Sequence, residues 1–318
     1  PGQGPPVGGQ LWARHQPGTD PRGNMGVSQL AEFREAVGTE GAVCVRGGAT
    51  RWDLGGDPAG AHEVRAPSGV EEFLPAEMTV AAGAGTTLAE LTEALGASGQ
   101  EVALDGPPGA TVGGTLVVGR SSLRRGRVGL IADTLLQADC VGADGALFTA
   151  GGPTVKNVTG YDVCRLLVGS LGTLALLGRV ILRTRPMPEA GLWMAGELAP
   201  ARVADVAYRP ATVLWDGERT TVRLEGHPGD LRDERDRLVA LGLGEVDEPE
   251  LGPCMSRWAG EIPAGAVLDV LGGVVYGDRP ETLPVTKPGV LALAGRMRDE
   301  FDPGRRLNPG RDPYRVAA

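Results

Sequence analysis

Glycine is clustered in this sequence, and the clusters limit what the backbone can do. Val45-Arg46-Gly47-Gly48-Ala49-Thr50-Arg51 follows a short apolar run that reads as a strand. Two successive glycines there allow a tight turn whose amides converge into an anion nest. Arg46, Arg51 and the Thr50 hydroxyl are placed to add charge or hydrogen bonds to a pyrophosphate. A plain turn between strands accounts for the segment equally well. The run Pro107-Pro108-Gly109-Ala110-Thr111-Val112-Gly113-Gly114-Thr115 goes further. Its prolines fix the approach, and its glycines leave room for a flat ring or for a phosphate held by main-chain amides. Its blander reading is a buried loop that packs closely. A third segment, Thr154-Val155-Lys156-Asn157-Val158-Thr159-Gly160-Tyr161-Asp162, sets a cation, an amide, hydroxyls and a phenol ahead of a helix. Standing alone, it reads as a solvated turn.

Composition narrows the chemistry. The net charge is −9 and no basic tract occurs, so double-stranded nucleic acid is a poor partner. Cys44, Cys140, Cys164 and Cys254 are scattered with no Cys-x-x-Cys pair, which fits neither an iron–sulfur site nor a disulfide framework. They read as buried thiols in a reducing cytoplasm. The longest uncharged runs, Gly106–Gly119 and Leu166–Gly178, are shorter than the roughly 20 residues of a membrane span. Gly83-x-Gly85-x-x-Leu88 lacks the last glycine of the dinucleotide fingerprint, and neither Lys156 nor Lys287 sits in a Walker loop. His15, His62 and His227 share no ligand spacing, and no Gly-x-Ser-x-Gly elbow occurs.

Periodicity and turn signals place the elements. Residues 1–25 read as a disordered leader. A helix is expected from Ser28, with Leu30, Phe33 and Val37 on one face and Gly38 as its stop. Val43–Val45 and Thr79–Ala82 read as strands, and Thr87 with Glu90 forms a capping box for a helix burying Leu88, Leu91 and Leu95. Asp139–Thr149 reads as a hairpin around Asp144-Gly145, Val163–Val168 as a short helix and Leu174–Arg185 as a strand. Pro186 and Pro188 mark a boundary. Beyond them come a hairpin at Asp216-Gly217, a helix from Asp230, a strand at Val267–Leu271 and a final helix, Pro288–Phe301. Trp193, Trp215 and Trp258 read as core residues of this second, α+β unit.

In order along the chain, Arg46–Thr50, Gly109–Gly114, Lys156–Asp162, Gly169-Ser170-Leu171-Gly172-Thr173-Leu174 and the tail Phe301-Asp302-Pro303 with Leu307-Asn308-Pro309-Gly310 form a set. Together they resemble the flavin-binding domain of the vanillyl-alcohol oxidase and p-cresol methylhydroxylase superfamily, and within it the FAD-binding subunits of bacterial glycolate oxidases. The resemblance spans residues 28–188 and returns at 289–311. It implies an α+β fold: a two-subdomain FAD-binding domain of the p-cresol methylhydroxylase type over 26–188, a small cap over 189–288, and a helix and tail over 289–318 that return to the flavin.

The resemblance also implies roles. Arg46, Gly47, Gly48, Ala49, Thr50 and Arg51 would surround the pyrophosphate of FAD. Pro108, Gly109, Ala110, Thr111, Gly113, Gly114 and Thr115 would wrap the diphosphate and the ring edge, with Gly119, Ser121 and Gly126 completing that wall. Lys156, Asn157 and Tyr161 would line the flavin side, Val180 would approach the adenine end, and Asn308 would lie near the ring. The implied reaction is oxidation of a small 2-hydroxy acid, of glycolate or D-lactate type, by hydride transfer to the flavin. Electrons would pass to a partner, with a second flavoprotein subunit and an iron–sulfur subunit in the complex. Lys156 is the expected substrate cation, with Arg124 or Arg125 behind it; Tyr161 is the other catalytic candidate, and no base stands out. Ala49 and Thr50 stand where many relatives place a flavin-linked histidine, which implies non-covalent FAD. Between Pro186 and Pro288 only His227 occurs, whereas metal-binding relatives use histidines there. That departure and the small cap leave open a subunit that binds FAD, or only supports a catalytic paralogue, without turnover.

Overall fold

The computed structural model describes residues 24–58, 60–107, 109–152, 162–252, 254–278 and 286–315. The first unit comprises α1 (Asn24–Val37), β1 (Val43–Val45), β2 (His62–Val64), β3 (Val70–Leu74), β4 (Thr79–Gly83), α2 (Leu88–Gly96) and β5 (Gln100–Glu101). It continues through α3 (Val112–Val118), α4 (Arg125–Val128), β6 (Leu135–Val141), β7 (Leu147–Gly151), α5 (Val163–Leu167), β8 (Leu176–Arg183) and β9 (Arg185–Pro186). The second comprises β10 (Ala190–Gly196), α6 (Pro200–Ala204), β11 (Thr212–Trp215), β12 (Thr220–Gly226), α7 (Pro228–Ala240), β13 (Gly244–Val246), β14 (Cys254–Arg257), β15 (Val267–Asp269) and β16 (Val274–Gly277). Helix α8 (Pro288–Phe301) follows.

The first unit is built on a five-stranded antiparallel sheet in the order β3-β4-β8-β6-β7. The capping box expected at Thr87 forms with both arms, and α2 lays Leu88, Leu91 and Leu95 on that sheet together with Val112 and Leu116 of α3. Fully burying such side chains contributes about 1.5–3 kcal/mol each. A separate parallel pair, β1 and β2, is extended by the C-terminal tail, whose Leu307 bridges Val43 and is wholly buried. Arg306 holds that tail in place. Its guanidinium donates to the carbonyls of Val37, Gly38, Glu40, Gly41 and Ala143, so one side chain satisfies the frayed end of α1 and the turn after it.

In the second unit all strands join one antiparallel sheet, β13-β10-β12-β11-β15-β16-β14. Val203 of α6 and Leu231 and Leu238 of α7 pack with Met194, Val213, Val222 and Leu224 of the sheet. The units are joined by polar contacts. Arg124 donates to both Glu101 oxygens at 2.9 and 2.7 Å and to Glu225 at 2.6 Å, while Arg223 reaches the same Glu225 oxygen at 2.7 Å. Gly126 N–H donates to the Ala211 carbonyl at 3.0 Å. Among the described residues no helix is long and apolar enough to cross a membrane.

Several boundaries differ from expectation. Helix α1 begins at Asn24, so residues 24 and 25 are helical instead of leader; residues 1–23 lie outside the described set. The Leu174–Arg185 run divides into β8 and the separate β9, which pairs with β5. Gly113 and Gly114 do not lie in an extended loop: they occupy the first turn of α3, capped by the Thr111 hydroxyl accepting from Gly114 N–H at 3.2 Å. Burial of Val112 and Leu116 outweighs the low helical propensity of the two glycines. Trp193 is buried as expected, whereas Trp258 is 47% exposed and belongs to no core.

Candidate cofactor site

A cleft of about 320 Å³ lies between the 45–54 loop, the 109–118 segment and the C-terminal tail. Arg46, Gly47, Gly48, Ala49, Thr50, Arg51, Gly109, Ala110, Thr111, Gly113, Gly114, Thr115 and Asn308 all line it, so the structure brings together three segments far apart in the chain, Arg46 and Asn308 being 262 positions apart.

The glycines of the first loop serve contact, not turn geometry. The left-handed residue there is Ala49, at φ +54°. A Cβ on Gly48 would fall 1.7 Å from the Gly109 carbonyl oxygen, and one on Gly47 would fall 2.4 Å from Thr111 Oγ1. The two glycine-bearing segments therefore touch, backbone to backbone at Gly48 and Gly109, while the amides of Ala110, Val112, Gly113, Gly114 and Thr115 already donate to Pro107, Thr86, Ala84 and Thr111. Asn308, at φ +42°, closes the cleft from the tail: its side-chain amide donates to the Gly172 carbonyl at 2.9 Å, and its own N–H donates to the Val43 carbonyl at 2.8 Å.

The cleft is cationic. Arg46, Arg51, Arg65 and Arg311 line it in a chain of net charge −9. Arg46 and Arg311 lie over the Trp52 ring at 5.0 and 4.8 Å from its centroid, a cation–π arrangement that holds both guanidiniums at the rim. Burial lowers the pKa of Arg51 and Arg311, which raises the value of an anionic partner for each. Thr115 Oγ1 is buried on the cleft wall with no hydrogen-bond partner among the described residues, an orphan that a polar ligand atom would satisfy. Side-chain-poor walls, guanidiniums and an orphaned hydroxyl suit a flat cofactor carrying a diphosphate. Trp52, Arg65 and Arg311 were not singled out from sequence; no short motif marks them, because distant segments bring them together.

Other expected residues lie elsewhere. Gly119 and Ser121 line a second cavity of about 360 Å³ between the two units, not the cleft. Gly126 lines neither cavity: its Cβ position is filled by the Pro210 carbonyl oxygen, 2.0 Å away, so its role is to let the units approach. Val180 is buried in β8, and its backbone belongs to ladders with both β4 and β6, so the central strand leaves nothing for a ligand. Arg124 is occupied between Glu101 and Glu225. Pro108 and residues 153–161, with Lys156, Asn157 and Tyr161, lie outside the described residues. Cys44, Cys140 and Cys164 are buried, and burial pushes their thiols up, Cys164 to about 12.

Comparison with known proteins agrees with this geometry. The FAD binding domain family matches residues 29–151. The chain is 28% identical over 220 residues to the glycolate oxidase subunit GlcE of Escherichia coli, covering 66% of this chain and 63% of that subunit. It is 35% identical over 149 residues to the D-lactate dehydrogenase of Archaeoglobus fulgidus, 45% of this chain and 33% of that enzyme. To the glycolate oxidase subunit GlcD of Bacillus subtilis it is 36% identical over 126 residues, 37% of this chain and 27% of that subunit. The chain thus spans less than two thirds of the length of each of these relatives. In fold it is similar to an alkyldihydroxyacetonephosphate synthase, at a TM-score of 0.63 and 15% identity, over 89% of this chain and 74% of that one. Residues 29–151, whose glycine-bearing segments build the cleft, are an FAD binding domain, and FAD is the cofactor of this chain.

Proposed function

We propose that this chain is an FAD-dependent oxidoreductase subunit that converts a small 2-hydroxy acid, of glycolate or D-lactate type, to the 2-oxo acid. The observation that carries the reading is the cationic, glycine-walled cleft within the matched FAD-binding segment. Its support comes from relatives named as glycolate oxidase subunits and a D-lactate dehydrogenase. The substrate would lose two electrons and two protons; bound flavin supplies the two-electron acceptor. Arg46, Arg51, Arg65 and Arg311 would balance the diphosphate charge, while the amides of 47–49 and the Thr115 hydroxyl would hold its oxygens. Ala49 and Thr50 offer no imidazole or thiol, so the cofactor would be held non-covalently. In this reading 26–188 carries the cofactor, 189–288 caps the substrate side and 289–318 closes the cleft. Lys156 and Tyr161 stay its catalytic candidates. A cytoplasmic complex with a second flavoprotein subunit and an iron–sulfur subunit would take the electrons, since this chain has no paired cysteines for a cluster.

One observation favours a non-catalytic FAD-binding subunit. His227, the single histidine between Pro186 and Pro288, caps α7 through Gly229 N–H at 3.1 Å and lines neither cavity. An absorbance spectrum of the purified chain, before and after anaerobic addition of glycolate and of D-lactate, separates the readings. Flavin bands that bleach with either acid establish turnover. Bands that persist assign the chain to FAD binding without its own oxidation step, and a chain that takes up no FAD overturns both.

A further inference from the structure

The second cavity is built by the pleat of the second sheet. In the antiparallel pair β14–β16, Met255 faces Tyr276 and Arg257 faces Val274. Residues two apart on a strand share a face, so Met255, Arg257, Val274 and Tyr276 all project to one side, and all four line the cavity. The alternate residues, Ser256 and Val275, are buried on the other side. The facing wall comes from the first unit, as Gly119–Ser122 and Arg125. The cavity neighbours the cofactor cleft along the chain: Val117 and Val118 line the cleft, and Gly119 and Arg120, which follow them, line the cavity.

The charges in it are one-sided. Among the described residues that line it, Arg120, Arg125 and Arg257 stand against the one carboxylate of Asp269, in a chain whose net charge is −9. Asp269 accepts from Leu271 N–H at 3.1 Å, and Arg125 donates to the Gly272 carbonyl at 3.3 Å. Among the described residues, Arg257 has no acidic group within ion-pair distance.

We propose that this interdomain cavity is a binding site for a small 2-hydroxy or 2-oxo carboxylate, held through its carboxylate by Arg120 and Arg257 and through its 2-oxygen by the Tyr276 hydroxyl. The assignment rests on the oxidoreductase reading and gives its substrate a seat beside the cofactor cleft. Guanidinium pairs fit a planar carboxylate by parallel hydrogen bonds, which a flexible point charge does not match. Burial pushes the Tyr276 phenol up to about 12, so at neutral pH it keeps its proton and donates. This seat draws on residues from both units, which gives the polar joint between them a function: it holds the two halves of one anion site in register.

The test is a titration of the FAD-loaded chain with oxalate, a non-reacting dicarboxylate, followed by tryptophan fluorescence. Trp258 lines the cavity and is 47% exposed, so it reports on occupancy; Trp258→Phe identifies its share of the signal. Saturable quenching is expected in the parent chain. Arg120→Gln and Arg257→Gln should each weaken oxalate about tenfold, as expected for losing a charge-assisted bidentate contact. Arg235→Gln, on exposed α7, should leave the titration unchanged. If oxalate binds equally to the parent, Arg120→Gln and Arg257→Gln chains, or does not saturate, the proposal fails. Should Arg120→Gln not fold, Arg257→Gln on the exposed end of β14 decides alone. The cofactor reading is scored separately by flavin absorbance of the same samples. A chain without FAD that still loses oxalate binding on Arg257→Gln sinks that reading and keeps the carboxylate site.

Discussion

At the scale of single residues, Gly48 decides whether the cofactor cleft exists. The Gly109 carbonyl oxygen occupies the place of its Cβ at 1.7 Å, and that oxygen is backbone, unable to swing aside. Gly48→Ala must therefore push the 45–54 loop away from the 109–115 segment and part the two walls of the cleft. FAD affinity should fall by about 5- to 150-fold, the equivalent of the 1–3 kcal/mol or so that overpacking costs at a rigid contact. Fluorescence titration with FAD measures this directly, and near-parental affinity would show that the two segments do not act as one wall. Gly109→Ala provides the contrast, because its Cβ would meet only Thr50 Cγ2, at the ordinary distance of 3.7 Å.

At the scale of elements, helix α2 shows how a local signal carries through to packing. Thr87 Oγ1 accepts from Glu90 N–H at 3.2 Å, and the Glu90 carboxylate accepts from Thr87 N–H at 2.8 Å. The Thr87 N–H and, beside it, the Thr87 hydroxyl, which donates to the same carboxylate at 2.8 Å, hold the Glu90 carboxyl below its usual pKa. A carboxyl depressed in the folded state stabilises above its unfolded pKa, and the contribution is lost as pH falls through the folded value. Thr87→Ala should therefore cost about 1 kcal/mol near neutral pH, with a smaller difference from the parent below about pH 4. Urea denaturation at the two pH values checks it; an equal deficit at both would assign the loss to packing of the threonine methyl. The C-terminal tail is the opposite case. Nothing local in Asp302–Arg311 marks it as the third member of the β1–β2 pair, yet Leu307 is wholly buried there and Asp302 accepts from the amides of Arg306 and Leu307 at 3.0 and 2.8 Å.

For the whole molecule, the joint between the units is governed by Glu225. Its side chain is 2% exposed, and Arg124 and Arg223 both converge on one of its oxygens. Removing it leaves two guanidiniums facing each other at a largely dry interface. Glu225→Ala should destabilise by about 3–5 kcal/mol, the usual cost of breaking a buried pair from one side. It should also uncouple the units, so that differential scanning calorimetry shows two transitions where the parent shows one. A single transition at the parent temperature would mean that the apolar cores alone hold the units together. Glu225→Gln, which keeps the shape and loses the charge, should fall between the two.

What the sequence determined by itself was the set of local decisions. The Thr87–Glu90 box, the Asp144-Gly145 and Asp216-Gly217 turns, β1 and the Pro288–Phe301 helix appear where hydrogen bonding within a few residues specifies them. The glycine-bearing segments that line the cleft were legible for the same reason, since a missing side chain is visible in one dimension. Only the tertiary structure decided which glycines bend the chain and which admit a neighbour, because Gly48 is explained by Gly109, 61 positions away. It also decided that Gly119 and Ser121 face a different cavity from Gly114, that Val180 is sealed in the central strand, and that Trp52, Arg65 and Arg311 belong to the cleft. Each depends on contacts between distant segments, which are set by how the sheets stack and the tail returns, and no local periodicity encodes those choices.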